Sequence, residues 1–267
     1  SDDAMDIVGT GGDGFGTYNI STASAFVIAG CGIPVAKHGN KAVSSKSGAA
    51  DVLSALGIKL DCDMALVERA LAEANIAFLM APRHHAAMRH VAPVRAALGV
   101  RTIFNLLGPL SNPALVKRIM VGVFDQSYCA PFAHVLARLG TSHAWVVHGA
   151  DGLDEVSTTG KTHVAALVDG KVSEFTISPE DIGLPTARLD QLRGGDGDHN
   201  ARYLRALLEG ETGPYHDIVL FNAAAALVAG GHVADIQQGA EMAEESIDSG
   251  KALAALDGLI AITNGKA

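Results

Sequence analysis

Short apolar runs, each closed by glycine, proline or polar turn residues, alternate with stretches of helical periodicity through most of the chain, and that alternation leaves few folds open. Residues 7–8, 33–36, 76–80, 119–124 and 144–147 predict strands covered on both faces. Helical patterns between them cover 22–30, 48–56, 64–74, 84–98 and 128–139. Strand, helix, strand alternation predicts an α/β fold on a mainly parallel sheet. Two later strands, 163–168 and 172–177, flank Asp169-Gly170, a hairpin signal that adds antiparallel pairing, so the expected central sheet is mixed. Helical patterns at 201–208, 217–229, 233–249 and 252–262 follow a Gly/Asp-rich loop at 188–200 and supply flanking layers. Residues 105–113 (NLLGPLSNP) carry two prolines and a glycine behind a strand-like 102–104 and read as a loop or crossover.

At 267 residues the chain suits one large domain or two unequal ones. Apolar residues make up 48% and charged ones 18%, which excludes a disordered chain. Acidic side chains outnumber basic ones 29 to 20, and a formal charge of −9 has the wrong sign for broad binding to a nucleic-acid backbone. Cys31, Cys62 and Cys129 are spaced for neither a disulfide framework nor a metal cluster and favour a reducing, cytoplasmic setting. The apolar stretch 218–229 contains Asn222 and is too short to span a bilayer, and the first residues are acidic where a signal peptide would be basic. A start only a few residues ahead of the first strand leads us to expect further natural chain upstream.

Four segments could carry chemistry. Five of the 30 glycines lie between Gly9 and Gly16, in a turn that empties from the first strand and is followed by Asn19-Ile20-Ser21-Thr22 at a helix start. Successive glycine N–H groups and a helix N-terminus suit an anion, although the spacing is neither that of a P-loop nor that of a dinucleotide fingerprint, and a plain N-capped turn is the alternative. Residues 37–48 bring three lysines, three serines and two glycines to the end of the second strand, a composition for a diphosphate or for a solvated loop. Asp154-Glu155, after another strand, are adjacent carboxylates that a hard cation such as Mg2+ would reconcile; an exposed acidic helix start is the other reading. His84, His85 and His90 lack the spacing of a helical zinc pair, and Arg95 offers either a fork for a carboxylate or a surface charge.

GTGGD at 9–13, NIST at 19–22, KHGN and VSSKSG within 37–48, HVAPVRAALGVRTIFNLLGPLSNP at 90–113 and HGADGLDE at 148–155 run colinearly over nearly the whole chain and closely resemble the anthranilate phosphoribosyltransferases. The resemblance implies a nucleoside phosphorylase/phosphoribosyltransferase catalytic domain over 1–267, with about 84–113 contributing to a small helical domain whose N-terminal helices are absent. It implies transfer of the phosphoribosyl group of 5-phosphoribosyl-1-diphosphate (PRPP) to anthranilate in tryptophan biosynthesis, in a homodimer. By motif, Gly9, Gly12, Asp13, Thr17, Asn19, Ile20, Ser21, Thr22, Lys37, His38, Gly39, Asn40, Lys41, Ala42, Val43, Ser44, Ser45 and Ala49 would contact PRPP. Ser21, Asp154 and Glu155 would hold Mg2+, two ions per site, and Gly9, Asn40 and Arg95 would contact anthranilate, with catalysis by positioning and leaving-group stabilisation alone. Lys41 stands where the family pattern has an arginine and Ala86 where it has a proline. A pyrimidine nucleoside phosphorylase-like enzyme is the rival reading, opposed by Asn40 and the Asp-Glu pair; an inactive nucleic-acid-binding relative is another, opposed by the net charge.

Overall fold

The computed structural model describes residues 3–11, 13–42, 46–91, 94, 97 and 102–266. Its centre is a seven-stranded sheet of β1 (Met5–Gly9), β2 (Val35–Gly39), β3 (Ile76–Met80), β4 (Arg118–Gly122), β5 (His143–Gly149), β6 (Thr162–Val168) and β7 (Lys171–Ile177). The spatial order is β3-β2-β1-β4-β5-β6-β7. The first five strands pair in parallel. The last two add antiparallel pairs, with Asp169-Gly170 at their turn. The mixed sheet expected from the sequence is therefore present.

Each parallel strand alternates its side chains between two cores, as the period of two requires. Met5, Ile7, Val35, Ile76, Phe78, Met120, Trp145 and Val147 face a large core. It is roofed by α1 (Ile20–Gly30), α6 (Pro214–Ala229), α7 (Ile236–Asp248) and α8 (Lys251–Thr263). Ile119, Val121, Ala144 and Val146 face the other way, against α4 (Cys129–Arg138). Ala36, Ala77 and Leu79 do the same beside Val67 of α3 (Met64–Glu73). Two further helices, α2 (Ala49–Ala55) and α5 (Gly197–Leu208), pack on each other at the end of the sheet where the glycine turn lies.

Three expectations are corrected. The strand-like 102–104 is no strand; Phe104–Leu107 forms a single helical turn, with Asn105 Oδ1 accepting from Thr102 N at 3.0 Å. The helix expected at 84–98 breaks at its start: Pro82 opens a short turn, Ala81–His84, and His85 leaves helical geometry at φ −116° and ψ 67° before a 3-10 turn at Ala86–His90. The Gly/Asp-rich loop is shorter than expected, because Asp196 caps α5 through a bond from His199 N and the helix begins at Gly197.

Gly9 and Gly122 are paired in register at the ends of β1 and β4. A Cβ at Gly122 would lie 1.6 Å from the backbone oxygen of Asp154. The clash is with main chain and cannot be relieved by a rotamer. Gly122→Ala should therefore destabilise the protein by about 1–3 kcal/mol or more, read as a fall in the midpoint of urea unfolding; an unchanged midpoint would show that the 154–155 segment does not depend on this glycine.

Candidate active site

The chain runs β1, β2, β3 in one direction across the sheet and then returns to place β4 on the other side of β1, so the connections diverge between β1 and β4. Open parallel sheets carry their ligand crevice at such a divergence, beyond the carboxyl ends of the strands. A cavity of about 820 Å3 lies there. Its wall includes the turn after β1, the end of β2, the residues after β3, the Phe104–Leu107 turn and Asp154-Glu155.

The acidic wall is forced into place by its neighbours. Leu153 and Val156 are fully buried, and Val156 is clamped by Asn222, whose Oδ1 accepts from Val156 N at 2.9 Å while its Nδ2 donates to Val156 O at 2.7 Å. Asp151 anchors the preceding turn, accepting from Ser157 Oγ at 2.6 Å and from Leu153 N at 3.0 Å. Asp154 is thereby held against the glycine turn, where Gly11 N donates to its Oδ2 at 2.6 Å. Gly11, Gly14 and Gly16 have φ of 70°, 83° and 63°, the left-handed conformation that makes glycine the fitting residue along this turn. Burial, reinforced by Asp13, pushes the Asp154 carboxyl up to about 7, and burial and Asp154 push Glu155 well above the usual range. Asp13 and Asp154 lie within hydrogen-bonding reach of each other, an arrangement that needs a shared proton or a cation.

Lys37 is the counter-charge below them. It is only 3% exposed, and its Nζ donates to Ile7 O at 2.5 Å and to Ser21 Oγ at 3.2 Å. Asp6 sits behind it, fully buried and raised to about 6 by desolvation against the pull of Lys37. The Asp6 carboxylate accepts from His38 N at 3.2 Å and from Asn112 Nδ2 at 2.8 Å, tying the NLLGPLSNP segment to β1 and β2. Across the cavity His38 Nδ1 meets Gly108 O at 3.1 Å and His38 Nε2 meets His85 Nε2 at 3.1 Å. A carbonyl only accepts, so His38 carries its proton on Nδ1 and receives one from His85. Burial and His85 lower His38 to about 4, so the ring is neutral at pH 7.

The cavity brings together Gly9, Asp13, Thr17, Asn19, Ile20, Ser21, Thr22, Lys37 to Ala42, Ala49, Asp154 and Glu155. Gly12, Val43, Ser44, Ser45 and Arg95 lie outside the described residues. Reasoning from sequence missed Tyr18, His85, Met88, Phe104, Leu107 and Gly108 as wall residues. The spacing of the paired histidines speaks only to zinc, and nothing in it signals that a helix break turns His85 toward His38. Among the described residues no group of three His, Cys, Asp or Glu is arranged to hold a metal by itself. Mg2+ takes one or two carboxylates and completes its shell with water and substrate phosphate, and the adjacent carboxylates of Asp154 and Glu155 on the cavity wall fit that chemistry.

Residues 1–253 match the model of the glycosyl transferase family, a/b domain, which gives the class to which this fold belongs. The chain is 60% identical over 263 residues to an anthranilate phosphoribosyltransferase of Azospirillum brasilense, covering 98% of this chain and 74% of the relative. It is 61% identical over 259 residues to that of Rhodospirillum rubrum, covering 97% and 75%. Among solved structures, anthranilate phosphoribosyltransferase from Thermus thermophilus superposes with a TM-score of 0.93 at 45% identity, over 99% of this chain and 79% of that one. The enzyme from Saccharomyces cerevisiae in complex with PRPP and Mg does so at 0.89 and 35%, over 98% and 74%. The chain belongs to the anthranilate phosphoribosyltransferase family.

A carboxyl whose folded pKa is raised stabilises the fold fully only below its unfolded value, near 4, and that contribution is lost as pH rises through about 7. A cation bound to the ionised pair offsets the loss. Mg2+ should therefore raise the thermal midpoint more at pH 8 than at pH 5.5, at about 2–4 °C per kcal/mol of binding. Asp154→Asn should flatten the difference; equal Mg2+ shifts at both pH values would exclude the carboxylates as ligands.

Proposed function

We propose that the protein transfers the phosphoribosyl group of PRPP to the amino group of anthranilate, giving N-(5-phosphoribosyl)anthranilate and pyrophosphate, with the reaction held in the cavity at the β1–β4 divergence. The observation that carries this reading is the meeting, in one cavity wall, of an acidic pair at Asp154-Glu155 with the donor-rich ends of β1 and β2. The names of the relatives supply the substrates.

In the reaction the C1–O bond of PRPP breaks and its electron pair leaves on pyrophosphate. The amine lone pair forms the C1–N bond, and the nitrogen then sheds a proton. Cleavage builds negative charge on the leaving group, so the protein must supply preorganised donors there and hold the amine opposite. The glycine turn and the first turn of α1 present N–H groups and hydroxyls. Lys37, fixed beneath by Ile7 O and Ser21 Oγ, supplies positive charge from the floor. Asp154 and Glu155 with Ser21 would hold Mg2+, two ions per site, whose chemistry is to neutralise the diphosphate and its developing charge. Asn40 lines the cavity with the His38 and His85 rings, a wall suited to an aromatic ring, and Arg95 would grip the anthranilate carboxylate. Lys41 keeps the charge of the arginine in the family pattern but not its planar fork.

The reading extends to a small helical domain to which about 84–113 contributes, and to a homodimer. Its support is the apolar exposure of that region, at Val94, Ile103 and Leu107. A cytoplasmic setting is supported by the free thiols of Cys31, Cys62 and Cys129. No described helix is long and apolar enough to cross a membrane.

Loss of anthranilate fluorescence with PRPP and Mg2+ tests the activity. Changing Asp154 and Glu155 together to alanine should lower turnover by more than about a hundredfold, several kcal/mol of transition-state stabilisation. Full activity in the double variant would sink the metal assignment.

A further inference from the structure

The Gly/Asp-rich segment at 188–200 has no part in the reaction as described, yet it is bonded to the turn that does. Tyr18 N donates to Leu192 O at 3.1 Å and Gly194 N to Gly16 O at 2.9 Å, with Thr17 bridged antiparallel to Arg193 between them. Beyond this staple lies Asn200 of α5, a polar side chain in a residue only 1% exposed. Its Oδ1 accepts from Gly195 N at 2.7 Å, and its Nδ2 donates to Asn19 Oδ1 at 2.8 Å. Gly194 leaves the room for this, since a Cβ there would stand 2.8 Å from Asn200 Oδ1.

The two ends of a carboxamide are alike in shape and opposite in chemistry, so what fixes their orientation is the partner that has no choice. Gly195 N–H can only donate. The Asn200 atom facing it must be the oxygen, the atom facing Asn19 must be the NH2, and the Asn19 atom it meets must be the oxygen. Asn19 is the residue before α1 and makes no side-chain cap to that helix. Its oxygen is taken by Asn200 and by Ser47 Oγ at 3.3 Å, while among the described residues its NH2 makes a long contact, 3.5 Å, to Ser47 O. The Asn19 main chain is fixed as well, its oxygen accepting from Tyr215 Oη at 3.3 Å.

We propose that Asn200 is a positioning residue for PRPP: it sets the polarity of the Asn19 carboxamide so that the donor end, not the acceptor end, meets the anionic substrate. This rests on the reading of the cavity as the PRPP site. An oxygen turned toward a phosphate would replace an attraction with a repulsion.

Asn200→Asp keeps the shape and the bond from Gly195 N but puts an oxygen against Asn19 Oδ1, forcing the Asn19 amide over. Asn200→Ala removes the instruction and lets the amide turn freely. Calorimetric titration with PRPP and Mg2+ at pH 8.5, where the introduced carboxyl is ionised, should show Asn200→Asp binding about tenfold or more weakly than the unaltered chain, the scale of one hydrogen bond to a charged group. It should also bind more weakly than Asn200→Ala, while KM for anthranilate changes by less than about twofold on that same scale. A packing role alone reverses the order, because alanine leaves the larger void. Asn200→Asp binding as the unaltered chain does, or Asn200→Ala binding more weakly than Asn200→Asp, would overturn the proposal. Absence of PRPP binding by the unaltered chain would instead remove the PRPP reading beneath it. If Asn200→Asp does not fold, the side-chain amide protons of Asn19 in the unaltered 15N-labelled chain decide the matter. They should move on addition of PRPP and Mg2+ while those of Asn200 stay; unmoved Asn19 protons overturn the proposal.

Discussion

Everything at the crevice depends on main chain lying directly on main chain where β1 and β4 end. Gly9 and Gly122 present no side chain, so Asp154 can lie across the strand ends and reach the turn after β1. Leu153 and Val156, buried on either side, press the two acids inward. Two carboxylates in such a place are costly unless they bind something, and the cost shows in their raised affinity for protons.

Behind the acids a second set of buried charges does quieter work. Asp6 bonds to the main chain of His38 and the side chain of Asn112, and it faces Lys37 electrostatically. One carboxylate thus joins β1, β2 and the 105–113 segment, and its charge works against the burial that pulls the Lys37 ammonium below its ordinary range. Asn222 plays the neutral counterpart on the opposite side, accepting from Val156 N and donating to Val156 O. A single asparagine in the apolar run 218–229 is the means by which a core helix steers the segment that carries the two acids.

Much of this was legible in the residues. The strands, their mixed pairing and the hairpin at Asp169-Gly170 follow from apolar runs and turn signals, and the place of the glycine-rich turn at the end of β1 follows from its residues. What periodicity cannot show is where a helix yields to a side-chain contact. Residues 84–98 read as one helix, but His85 leaves helical geometry and its ring meets His38, far away in sequence. Phe104 belongs to a short helical turn where its neighbours looked extended. Asn200 and Asn222 could not be assigned either, because a lone asparagine in a helix acquires meaning only from what folds against it.

The order of contacts along the chain also bears on how the molecule comes to exist. The β5-β6-β7 meander is made of near neighbours, whereas Gly11 meets Asp154 across 143 residues and Asn19 meets Asn200 across 181. Closing long loops costs entropy before any contact repays it, so local hairpins can precede and distant pairings are slow. The crevice is therefore assembled from closures that span much of the chain. A nascent chain makes the glycine turn early but cannot fix it until α5 has been synthesised, and the geometry of the crevice becomes a late product of folding.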